Sequence, residues 1–216
     1  MTMSLQSDID QYKSGFIEKV PEDIRGIMAD ATKALTESGI VEKSPKVGDQ
    51  LKSFTLSNQL NEQISLESLL AKGPVVVTFY RGGWCPYCNL ELAAYQQVLP
   101  EIEAAGATLV AITPELPDVS LSTAEKNALK FQVLSDVDAV YARELNLVFS
   151  LPEALRPIYL SFGIDIEKHN GPEQYGLPLA ATYVVDQSGK ITSAFVDADY
   201  TKRQEPVEVV AALKQI

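Results

Sequence analysis

The chain carries two cysteines, Cys85 and Cys88, set three positions apart in FYRGGWCPYCNLEL, residues 79–92. That spacing admits a covalent staple, a metal site or a redox pair. A staple is a poor reading, because disulfide stabilisation in the chain-entropy model grows with the length of the loop closed, and this loop is very short. A structural zinc takes four ligands; the two cysteines and the single His169 supply three, so only two chains sharing a metal could complete a four-cysteine set. Redox chemistry fits better. Cys85 follows a Gly-Gly turn and precedes Pro86, a residue suited to the first position of a helix. Its sulfur therefore stands at a helix N-terminus, where unpaired N–H groups and the positive end of the macrodipole favour a thiolate. Cys88, three residues on along the same helical face, is within reach for a disulfide. Arg81 can add a positive charge and a donor at the same turn.

The elements that must hold this turn are readable from pattern. PVVVTFY before it is a continuous β-branched run, expected as a buried central strand, and ATLVAIT after Gly106 is a second. Between them PYCNLELAAYQQVLPEIEAAG reads as helix, with Pro100 expected to kink or restart it. STAEKNALK is expected as a helix opened by Ser122 or Thr123, followed by a short strand QVL and a helix in DAVYARELNL. ATYVVDQSGKITSAFV reads as two strands joined by a turn at Gln187 to Lys190, and PVEVVAALKQI as a closing helix. This is an α/β protein with a mixed central sheet and helices on both faces.

Residues 1–44 read as an N-terminal helical extension to a domain spanning 45–216. In it Ile24, Ile27, Met28, Ala31 and Leu35 form an amphipathic stripe, with Pro21 at its start and Gly39 as its stop. The stripe needs a surface to cover, either its own domain or a homodimer contact. Residues 149–179 are too long for a plain connection. PEALRPIYLSF is expected to be helical, and the remainder a Gly/Pro-rich loop carrying His169, read as a polar loop residue; such loops serve as lids or interfaces. Asp118, Asp136, Asp138, Asp197 and Asp199 read as loop or cap residues, so catalysis rests on sulfur.

Composition narrows the partners. A net charge of -11 and a pI of about 4.6 argue against nucleic acid, whose binding draws on clustered Lys and Arg. The N-terminus lacks a basic and apolar leader, and no window approaches the ~20 apolar residues of a membrane span, so a cytoplasmic protein without membrane association is expected.

FYRGGWCPYCNLEL, together with VGDQLKSFTL upstream and VLSDVDAVYARELNL and ATYVVDQSGKI downstream, resembles the peroxiredoxin-like branch of the alkyl hydroperoxide reductase and thiol-specific antioxidant family, over about residues 47–216. The resemblance implies a thioredoxin-like fold in its peroxiredoxin variant and no cofactor. Laying the family's Pro-x-x-x-Thr-x-x-Cys signature on this sequence puts the peroxidatic cysteine at Cys88, with Cys85 at the threonine and Arg81 at the proline. The family's later catalytic arginine would fall near Ala180. Arg81 and Arg203 are the cations that could act in its stead, with Tyr80 and Trp84 as further thiolate-supporting or substrate-binding candidates. The CPYC motif on its own resembles a glutaredoxin or thioredoxin site, which implies the opposite order, an exposed Cys85 attacking first and Cys88 resolving; those folds place a cis-proline where this chain has Ala181, before Thr182.

Three readings follow. A thiol peroxidase would reduce hydrogen peroxide or an organic hydroperoxide through the Cys85/Cys88 pair and be recycled by thioredoxin or glutathione. A thiol–disulfide oxidoreductase would use Cys85 as nucleophile. A redox sensor or interaction module would be oxidised without turnover.

Overall fold

A computed structural model describes residues 4–216. The chain runs through α1 (Leu5–Lys19), α2 (Glu22–Glu37), a 3-10 turn Val41–Lys43, β1 (Thr55–Asn58), β2 (Gln63–Ser65), α3 (Leu66–Leu70), β3 (Val75–Phe79), α4 (Pro86–Ala104) and β4 (Thr108–Thr113). It continues through α5 (Pro117–Lys126), β5 (Gln132–Ser135), α6 (Val140–Glu144), β6 (Val148–Ser150), a 3-10 turn Glu153–Leu155, α7 (Arg156–Ser161) and α8 (Ile166–Asn170). It ends with β7 (Gly176–Pro178), β8 (Ala180–Val185), β9 (Ile191–Asp197) and α9 (Pro206–Leu213). Seven strands make one mixed sheet in the order β2-β1-β5-β4-β3-β8-β9, with β3, β4 and β5 parallel and the others antiparallel. The expected mixed sheet with helices on both faces is present.

The sheet buries both faces because the central strands alternate two apolar sets. Val76, Leu109, Ala111, Val133 and Val184 join one core with α1, α4 and α9; Val75, Val77, Val110, Ile112 and Tyr183 join the other, with α3 and α6. Both cysteines lie in the first core.

Three local expectations are corrected. The helix α4 runs unbroken through Pro100: this proline is exposed, so its ring is accommodated on the outer side of the helix and not against the core. Helix α5 begins at Pro117 rather than Ser122 or Thr123, because Pro117 itself takes the first turn. The 149–179 stretch is not loop after α7: it carries the short helix α8 around His169, and β7 pairs with β6 in a second, two-stranded sheet. Short strands closed by a long excursion give little periodicity to read.

The N-terminal helices share the main body's core. Leu5 and Ile9 of α1 are buried against α4, and Tyr12 packs edge-on against Tyr87 at 5.1 Å. Glu205, just before α9, accepts from the backbone N–H groups of Leu5 and Gln6 and so satisfies free donors of α1. The α2 stripe is largely used within the protomer: Met28 and Ala31 pack on the 151–177 cluster and Leu35 on the second core, while Ile27 stays 42% exposed. Gly39, at φ 71°, terminates α2 as expected. Ile9→Ala is expected to cost about 2–5 kcal/mol, the range for deleting a buried isoleucine side chain. A urea midpoint unchanged from wild type would show that α1 does not stabilise the fold.

Candidate active site

Strand β3 ends at Phe79, and the chain turns through Tyr80–Trp84 into α4. Cys85 is the N-cap of α4, Pro86 its first residue and Cys88 lies in its first turn. Helix geometry sets the two sulfurs beside one another, and both are free thiols. The turn is held tightly. The Gly83 N–H donates to Glu115 Oε2 at 3.0 Å, its carbonyl accepts from Asn89 Nδ2 at 2.8 Å, and a Cβ at this position would stand 2.0 Å from Thr123 Oγ1. Glycine is required there by close approach alone.

Cys88 is fully buried and Cys85 is 2% exposed, so the first cysteine is not the exposed sulfur that a thioredoxin-like site would place there. Their acidities diverge. Burial pushes Cys85 well up, and the neighbouring Cys88 sulfur adds to it. Burial also works against a Cys88 thiolate, but donation from Cys85, the charges of Arg203 and Arg81 and the Arg81 backbone N–H outweigh it and hold Cys88 well below the usual thiol range. Arg203, in the loop between β9 and α9, donates from Nη2 to Cys88 Sγ at 3.4 Å. Its other arm pairs with the buried carboxylate of Glu91, and Nε and Nη2 reach the Tyr200 carbonyl at 3.0 and 2.8 Å. The guanidinium is fixed at both ends.

Glu91 stands one helical turn beyond Cys88, and burial with the nearby Cys88 charge raises its carboxyl to about 7 despite Arg203. The sign of the resulting pH effect follows. Below about pH 7 Glu91 becomes neutral, which removes a negative charge from beside the thiolate and leaves Arg203 to Cys88. The rate of Cys88 with hydrogen peroxide is therefore expected to hold level as pH falls from about 8.5 through about 7, where an ordinary thiol loses most of its thiolate. Stopped-flow Trp84 fluorescence can follow it; a rate that falls tenfold for each pH unit would contradict the assigned acidity.

The six residues singled out in sequence divide by position. Arg81, Trp84 and Cys85 line a cavity of about 580 Å³ beneath α1, together with Tyr12, Tyr159 and Tyr200. Cys88 and Arg203 lie outside its lining, and Tyr80 is buried with its phenol held up by desolvation and the Glu115 charge. Arg81 is 2% exposed, donates to the Tyr159 hydroxyl, and lies over the rings of Tyr200, Trp84 and Tyr159 at 4.4, 4.9 and 5.6 Å. His169 is not an idle loop residue: its Nδ1 meets the buried Glu115 Oε1 at 2.9 Å, so the 149–179 segment is tied to the carboxylate that holds Gly83. Glu91, Glu115, Tyr159 and Tyr200 were not visible as site residues in the sequence; only Glu91, three places beyond Cys88 on one helix face, carries a local signal.

The profile of the AhpC/TSA family matches residues 47–194. The chain belongs to the AhpC/TSA family. Among curated relatives of this AhpC/TSA chain, peroxiredoxin Bcp of Escherichia coli K12 is 26% identical over 152 residues, 70% of this chain and 86% of that protein. The putative peroxiredoxin bcp of Haemophilus influenzae is 26% identical over 149 residues, 69% and 84%. Among solved structures, peroxidoxin BcpB of Mycobacterium tuberculosis aligns with a TM-score of 0.62 at 22% identity, covering 79% of this chain and 97% of that one. Xanthomonas campestris peroxiredoxin Q aligns with a TM-score of 0.56 at 21% identity, covering 75% and 90%. These likenesses establish the thioredoxin-like peroxiredoxin fold. Helices α1 and α2 precede the AhpC/TSA match.

Proposed function

We propose that the protein is a thiol-dependent peroxidase in which Cys88 is the attacking sulfur and Cys85 the resolving one. The reading rests on one observation: the buried Arg203 guanidinium donates to the Cys88 sulfur at 3.4 Å, and Cys85 and Arg81 act with it to hold that thiol low. The relatedness to the Bcp proteins, named peroxiredoxins, supports the same reaction. The Cys88 thiolate attacks the distal oxygen of a hydroperoxide, the O–O bond breaks, and Cys88 becomes a sulfenic acid as an alcohol or water departs. The departing oxyanion takes a proton, for which the Cys85 thiol is the adjacent donor. The Cys85 thiolate so formed then attacks the sulfenic sulfur and expels hydroxide, which takes a proton from solvent and leaves as water; the resulting disulfide is reduced by an external dithiol of the thioredoxin type, or by glutathione. The cytoplasm, which maintains such reductants, is the matching compartment.

The reading predicts sustained hydrogen peroxide consumption coupled to a thioredoxin system and its loss in Cys88→Ser. Stoichiometric oxidation without turnover would favour the sensor instead. Thiol–disulfide exchange has one observation in its favour, that Cys85 rather than Cys88 lines the cavity. Burial that pushes the Cys85 thiol well up, however, disfavours the thiolate that such an exchange needs.

A further inference from the structure

Arg81 is a buried cation without a carboxylate: among the described residues no acidic oxygen lies within ion-pair distance of it. The acidic groups that act on it are the phenols of Tyr159 and Tyr200 and the two thiols, and the lower-lying thiol is already held by Arg203. Its Nε is buried with no partner. A buried guanidinium with an unused donor is costly unless an anion reaches it.

Two cavities converge on this group. The one beneath α1, of about 580 Å³, and a second of about 520 Å³ between α2 and the 149–155 segment share Met28, Arg81, Tyr159 and Tyr200 in their walls. Their remaining lining is mostly apolar, from Phe16, Val20 and Phe162 on one side and Ala31, Leu35 and Leu155 on the other. Either volume lies within the range of small-molecule sites. A cation at the junction of two apolar chambers suits a ligand with an anionic head and an apolar body, and a carboxylate matches the guanidinium fork.

We propose that α1, α2 and the 149–164 segment form a binding site for an amphiphilic monocarboxylate, with its carboxylate on Arg81 and its acyl or aryl body in the adjoining cavities. Binding at this site does not depend on peroxidase turnover. Trp84, the sole tryptophan, packs 4.9 Å from the Arg81 guanidinium and reports on occupancy.

The test is a titration of the reduced full-length protein with decanoate and with 1-decanol, read by Trp84 fluorescence and by calorimetry. Gly15 supplies a second variant: it lines the first cavity within α1, and a Cβ there meets nothing within 4 Å, so Gly15→Phe fills the space without straining the helix. Decanoate is expected to bind saturably and at least tenfold more tightly than decanol. Arg81→Gln should erase that difference, and Gly15→Phe should weaken both ligands at least tenfold while thermal unfolding stays cooperative. Equal affinity for the two ligands, no saturable binding, or decanoate affinity unchanged in Gly15→Phe would overturn the assignment. Hydrogen peroxide turnover measured on the wild type in parallel separates failure of this site from failure of the peroxidase reading.

Discussion

Arg203→Met is expected to slow the reaction of Cys88 with hydrogen peroxide by about 10²–10³-fold, the loss typical of removing one preorganised donor from a developing anion. Arg203 acts twice here. It lowers the thiol pKa of Cys88 and donates from Nη2 to the sulfur at 3.4 Å. Methionine keeps an apolar stem in this buried position, but it strands the Glu91 carboxylate, which should then stay protonated well above pH 7 in the folded protein. The rate loss should therefore come with a Cys88 titration moved up toward the ordinary thiol value of about 8.5. A variant that reacts at the wild-type rate with an unmoved titration would remove Arg203 from the mechanism.

Cys85→Ser should have a different and equally large effect. The pocket of donors around Cys88 is kept, because a serine hydroxyl can replace the Cys85 thiol as donor, so the first oxidation should proceed. Turnover with a thioredoxin system should nevertheless fall to background, since no sulfur remains within reach to convert the sulfenic acid to a disulfide. Burial of Cys88 shields that sulfenic acid from bulky thiols, and it should persist long enough for dimedone trapping. Undiminished turnover in Cys85→Ser would make Cys85 dispensable and the site a one-cysteine peroxidase.

Much of this site could be read from the chain alone, because its centre is local. The strand run before Tyr80, the Gly-Gly turn and Cys-Pro at a helix start lie within about ten residues, and each has a one-dimensional signature. What the chain alone shows less well is what the fold brings from afar. Arg203 is a candidate in the sequence, but its contact with Cys88 across 115 positions is seen only in the fold. Tyr159 and Tyr200 reach Arg81 from opposite sides of the β7–β9 region, with no spacing to announce them. The Glu115–His169 contact likewise spans 54 positions. The order of the cysteines was ambiguous for a physical reason: both stand at the same helix end, where the dipole favours either thiolate. The two family overlays assign the order oppositely, and it is the donors facing Cys88, from Cys85, Arg203 and the Arg81 N–H, that favour Cys88 as the attacking sulfur.

The order of attack is tested most directly by peptide mass spectrometry of Cys85→Ser and Cys88→Ser after one equivalent of hydrogen peroxide in the presence of dimedone. The adduct is expected on Cys88 in the first variant, with Cys85 unmodified in the second. An adduct on Cys85 in Cys88→Ser, with Cys88 untouched in Cys85→Ser, would contradict it.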